Sequence, residues 1–158
     1  GHYPSCLVEK LFSVEAVPLC KPSLLTDSEH PLREPSDLRF HTLLHDDTPY
    51  IGRPSWERWL ELAKVEGVDF KRGLHFNHVS LAMEAALDGQ GVLLSMDALA
   101  RHDIEAGRLC IPFPLSMPLE HAYHVIRPKS STTNQRAASA FIAWVLAEAE
   151  EQEESRLA

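Results

Sequence analysis

Nine histidines in a chain of 158 residues make metal binding the first chemistry to weigh. Six of them form three local groups: His75 with His78, His121 with His124, and His41, His45 with Asp46 and Asp47. A zinc site needs three or four convergent ligands. Residues three apart on a strand point to opposite faces, so His121 and His124 diverge if their segment is extended. A strand ending near Phe76 would likewise leave His75 and His78 in different settings, and no metal or cofactor is expected. Nucleophilic catalysis fares no better. Ser80, Ser95 and the three cysteines have no local elbow or motif around them, so no catalytic residue is assigned and an enzyme is not expected. Gly89-Gln90-Gly91 lacks a third glycine and follows a helix-like segment, so it reads as a tight turn and not a dinucleotide loop. Trp56 and Trp59 could stack on bases, but with no basic groove they read as core.

The elements that would position these residues are clearest from Phe76 to Ser95. Leu81, Ala82, Ala85, Ala86 and Leu87 form an apolar stripe of mostly small residues at helical spacing, suited to close packing on a sheet. The glycines close that helix. Val92-Leu93-Leu94 is then a short continuous apolar run, as expected of a strand covered on both faces. The start of the helix, after Asn77-His78, suggests a place to bind something rather than transform it.

Upstream, residues 1–10 read as irregular chain with a strand-like start, and Val14 to Cys20 as a strand ended by Pro22. Pro31 and Pro35 prevent a long helix between that strand and the next. Thr42 to His45 is the second strand, with Asp46-Asp47-Thr48-Pro49 as its exit. Ser55 is placed to cap a helix carrying Trp56, Trp59, Leu60 and Ala63, which Gly67 stops. Leu74 to Phe76 is a further strand. Beyond Ser95, Asp97 caps a helix to about His102, Leu109-Cys110-Ile111 and Ala122 to Ile126 read as strands, and Pro128 to Thr133 as a polar loop. Asn134 begins a long helix with Ala137, Ala140, Phe141, Trp144, Val145 and Leu146 on its apolar face, fraying in its acidic end. Helices and strands alternate, so the class is α/β.

Bulk properties narrow the function. At 44% hydrophobic composition the chain can bury an ordinary core. Its net charge is −8; the eleven residues from Glu148 contribute −4 of this, leaving −4 elsewhere, and neither part is a basic nucleic-acid surface. Cys6, Cys20 and Cys110 sit in apolar runs, which favours buried free thiols and a cytoplasmic setting over a disulfide framework. No apolar run reaches the roughly 18–20 residues that cross a bilayer, so no membrane partner is expected.

Taken in order, several segments resemble the effector-binding domain of LysR-type transcriptional regulators, in the glycine-cleavage-activator and β-lactamase-regulator branch. They are Leu11-Phe12, Val17-Pro18-Leu19-Cys20-Lys21-Pro22, Pro35-Ser36-Asp37-Leu38, His41 to His45, Trp56 with Trp59-Leu60, and the Ala85-Ala86-x-x-Gly89-x-Gly91-Val92 turn. Gly107-Arg108-Leu109, Pro112-Phe113, Ala122-Tyr123 and Phe141 to Val145 continue the match downstream. The resemblance implies a type 2 periplasmic-binding-protein-like, Rossmann-like fold of two α/β subdomains with a small-molecule cleft between them. Residues of about 14–112 would be the second subdomain, and about 113–158 the closing part of the first.

It also implies that Asn77, His78, Val79, His45, Asp46 and Tyr123 line the effector site, the helix start favouring an anionic ligand group. The opening part of the first subdomain and the DNA-reading helix-turn-helix have no counterpart here. The chain is therefore expected to be the sensing part of a larger DNA-binding regulator that forms a homo-oligomer, a dimer or a tetramer. A standalone solute-binding module is the alternative.

Overall fold

The structure is a computed structural model that describes residues 3–50, 52–129 and 135–157. It divides into two compact units, Glu15–Leu119 and the pair of segments Gly1–Val14 with Glu120–Ala158.

The larger unit is an α/β layer structure. Its strands are the second half of β1 (Cys6–Leu19), then β2 (Leu43–Asp46), β3 (Gly73–Phe76) and β4 (Val92–Met96). They lie in the order β3-β2-β4-β1, with β2 parallel to β3 and β4, and β1 antiparallel to β4. Helix α1 (Trp56–Ala63) connects β2 to β3, and α2 (Val79–Leu87) connects β3 to β4. Parallel neighbours need such crossovers because a tight hairpin cannot reverse the chain twice. Alternate side chains of the central strands serve opposite faces: Leu43, Val92 and Leu94 pack with Trp56 and Trp59, whereas Leu44 and Leu93 pack with Ala82, Met83, Ala85 and Ala86. The run Val92-Leu93-Leu94 is thus buried on both sides, as its composition predicts.

Small residues let α2 approach the sheet, with Ala82 and Ala86 fully buried. Leu81, expected on that stripe, instead faces solvent at 52% exposure, and Met83 takes the inward place. After the cap Asp88, Gly89 adopts φ +78°, with Gly89 N donating to Ala86 O at 3.0 Å and Gln90 N to Ala85 O at 2.9 Å. These are the paired bonds of a Schellman ending. Gly91 then passes so close to the Thr42 backbone that a Cβ would lie 2.2 Å from Thr42 O.

Several boundaries differ from expectation. β1 starts at Cys6, so the latter half of the opening segment is strand. Ser55 stands at the amino end of α1 without a side-chain cap bond, and Lys64, at φ 55°, closes the helix three residues before Gly67. Asp97 lies inside α3 (Asp97–Glu105), which outlasts His102. Leu109-Cys110-Ile111 contributes one isolated antiparallel bridge, Cys20 to Cys110, because the prolines after Ile111 prevent a ladder. Asp37 accepts from both Arg33 N and Glu34 N at 3.0 Å and so starts the 3-10 turn Pro35–Phe40, which buries Leu38.

In the smaller unit, β5 (Met117–Pro128, entered from the larger unit) neighbours the first half of β1. The Phe12 and Tyr123 rings meet at 4.9 Å, and Lys129 ties the strand ends together by donating from N to Ser5 O and from Nζ to Pro4 O, both at 2.9 Å. Helix α4 (Gln135–Leu157) continues through the acidic run expected to fray. Its expected apolar face is covered only in part: Val145 and Leu146 are half-buried, but Phe141 and Trp144 are each 57% exposed, while Ile142 and Ala149 are buried. Asn134 and most of the Pro128 to Thr133 loop lie outside the described residues.

Candidate functional site

A cluster of polar side chains in the larger unit lies at the carboxyl ends of β2 and β3. Open α/β sheets bind ligands beyond the carboxyl ends of their strands, because chain reversals leave a crevice there. β2 and β3 run parallel with His45 opposite His75, so the two imidazoles stack at 4.2 Å and 4°. Both lie on the side of β2 that carries Leu43, the α1 side. His75 Nδ1 is 2.8 Å from Asp47 Oδ2, and Arg53 Nη1 is 3.1 Å from Asp47 Oδ1. The same guanidinium donates to Asp46 O at 3.3 Å. The loop is fixed by its backbone: Asp47 N donates to Phe76 O at 2.7 Å, and Thr48 donates from both N and Oγ1 to Asp46 Oδ1.

Electrostatics follow from these contacts. The hydrogen bond from His75 leads in lowering the Asp47 carboxyl below its ordinary value, with Arg53 acting in the same direction. His45 is lowered below the usual imidazole value, first by burial and then by the neighbouring His75. Its Nε2 is enclosed beside Gly73 without a hydrogen-bond partner of normal geometry. The ion pairs themselves are 42–50% exposed. Pairs so exposed contribute about 0.2–1 kcal/mol at most, so the cluster does little for stability. It lines an open hollow of about 230 Å³ together with Trp56, whose Nε1 donates to Leu44 O at 3.2 Å. Among the described residues no three His, Cys, Asp or Glu side chains are grouped to hold a metal ion.

Of the residues expected at a site, His45 and Asp46 line this hollow. Asn77 is nearby through its carbonyl oxygen, which accepts from Thr48 Oγ1 at 3.5 Å. His78 is the amino-terminal cap of α2: its Nδ1 accepts from Ser80 N at 3.4 Å and lies 2.8 Å from Ser80 Oγ. Val79 lines a different hollow, of about 440 Å³ between α2 and α3, with Met83, Leu99 and Arg108. Tyr123 belongs to the other unit, where it is 43% exposed on β5. From sequence, Asp47 and His75 stood out only as metal ligands, and Arg53 did not stand out at all. A cation just ahead of the Pro54-Ser55 helix entry, facing Asp46-Asp47, was the available signal.

Residues 2–150 match the LysR substrate binding domain. The chain belongs to that family. Among LysR relatives, the glycine cleavage system transcriptional activator of Escherichia coli K12 is 36% identical over 98% of this chain. The transcriptional activator AmpR of Providencia stuartii is 33% identical over 94%. The chain spans about half the length of these curated relatives, 48% and 47% respectively. The solved effector domain of AmpR from Pseudomonas aeruginosa superposes with a TM-score of 0.74 at 25% identity, covering all of this chain and 72% of that one. The fold is accordingly the type 2 periplasmic-binding-protein-like fold of LysR effector domains.

Proposed function

We propose that this chain is the effector-sensing part of a cytoplasmic, homo-oligomeric LysR-type regulator that binds DNA through a separate helix-turn-helix domain. The observation that carries the reading is the family match over residues 2–150, joined to 36% identity with a transcriptional activator. Relatives of this family are transcriptional regulators, which supports sensing over catalysis.

The effector is proposed to bind at the carboxyl ends of β2 and β3, contacting His45, Asp46, Asp47, Arg53 and His75, with Asn77, His78 and Val79 at the adjoining start of α2. Arg53 offers a planar donor fork for a carboxylate or phosphate, and Asp47 an acceptor for an ammonium group. Tyr123 is proposed as an effector contact on its own unit, supported by its exposure and by Phe12 holding its ring. A ligand that prefers one conformation shifts the population of the full-length regulator between states of different DNA affinity.

Retention of DNA from the promoter region next to its own gene by the full-length protein tests this reading. Sequence-selective retention that weakens as salt rises is expected; a protein that binds no DNA at any salt concentration sinks it.

A further inference from the structure

Cys20 directly follows β1 and Cys110 stands beyond α3, yet their backbones form an isolated antiparallel bridge with both hydrogen bonds made. Cys20 N donates to Cys110 O at 3.0 Å and Cys110 N to Cys20 O at 2.8 Å. A pair exchanging both bonds holds its Cα atoms about 5.5 Å apart, inside the roughly 4.4–6.8 Å window that disulfides span. The Sγ atoms are 3.7 Å apart, and the Cys110 thiol also lies 3.4 Å from Cys20 O, to which it donates. Side-chain rotation with a small closing of the two backbones would bring the sulfurs to bonding distance.

We infer that Cys20 and Cys110 form a reversible oxidation site that a hydroperoxide converts to an intrachain disulfide. Cys110 is the half-buried member and meets the oxidant, while the buried Cys20 resolves it. The Cys110 thiolate attacks one oxygen of the hydroperoxide, the O–O bond breaks, and the departing oxygen takes up a proton, leaving a sulfenic acid. Cys20 sulfur then attacks the Cys110 sulfur. The S–S bond forms, the S–O bond breaks, and the hydroxide leaves as water with the Cys20 proton. Two thiols lose two electrons in all, and the hydroperoxide gains them as one alcohol, or water, and one water.

Burial pushes both thiols up from their ordinary values, most strongly Cys20, so the reaction is slow. The site therefore responds to sustained rather than brief oxidation. The ring it closes contains β2, α1, β3, α2, β4 and α3, so the product has a thermal signature.

Exposure of the chain to hydrogen peroxide, followed by alkylation and non-reducing peptide mapping, tests the inference. The expected product is a Cys20–Cys110 cross-linked peptide, with the titratable thiols falling from the three of the free chain to Cys6 alone. Melting temperature should rise by about 10 °C and return on adding dithiothreitol. Cys6→Ser should leave the cross-link unchanged, and Cys20→Ser should carry Cys110 on to the sulfinic acid. Three thiols persisting while glutathione in the same tube is oxidised would overturn the inference. So would cross-links through Cys6, or sulfinic acid at Cys110 in the unsubstituted chain.

Discussion

His45 and His75 lie ring on ring at 4.2 Å because β2 and β3 are parallel and pair these two positions in register. Charging both would place like charges in contact, and only His75 reaches Asp47. The stack therefore favours at least one neutral ring, and burial selects His45.

This has a pH consequence whose sign is fixed. The folded-state value of His45 lies below its ordinary 6.5, so the unfolded chain binds a proton that the folded chain refuses. Stability is full above pH 6.5 and declines as pH falls below it. His41, lowered chiefly by burial, adds in the same direction. Urea unfolding at pH 7.5 and 5.5 should show lower stability at the acid pH, and His45→Gln should reduce the difference. An equal drop in that variant would exclude His45 as a source.

Gly73 and Gly91 hold neighbouring strands at a separation that no side chain permits. A Cβ would lie 2.0 Å from Leu43 O at Gly73 and 2.2 Å from Thr42 O at Gly91. Gly73→Ala and Gly91→Ala should each cost roughly 2–4 kcal/mol by forcing backbone apart. Gly67, at φ +81° with nothing within 4 Å of its Cβ position, should cost only about 1 kcal/mol as alanine. Denaturant midpoints of the three variants give the comparison.

Trp59 is fully buried, meets Trp56 and Phe113 at 5.8 Å each, and donates from Nε1 to Leu115 O at 3.2 Å. Trp59→Ala should destabilise by about 3–5 kcal/mol. Trp59→Phe keeps much of the packing but strands the Leu115 carbonyl, at about 1–3 kcal/mol. Calorimetry of both variants separates the two contributions.

Legibility in the sequence followed how local the determining forces were. The α2-turn-β4 segment was readable because small residues, paired glycines and an apolar run each demand one conformation. The first half of β1 was not, because Leu7-Val8-Glu9-Lys10 has no clear period and pairs with a strand more than a hundred residues away. Lys64 took the left-handed, helix-closing position that residue type alone assigns to the glycine three residues on. On α4, side-chain type suggested Phe141 and Trp144 as inward, but Ile142 and Ala149 are the residues buried. At the site, His45 and Asp46 were visible beside their strand. The partnership of Asp47 with Arg53 and His75 was not, since it depends on β2–β3 register.

The proposed effector response would depend most on Arg53, whose guanidinium lines the hollow beside Asp47. Anisotropy of labelled promoter DNA titrated with the full-length protein, in a panel of small metabolites, measures it directly. At least one metabolite should shift DNA affinity by about tenfold, and Arg53→Ala, folded by circular dichroism, should lose that shift. An undiminished shift in Arg53→Ala, or no shift with any metabolite, would contradict the account.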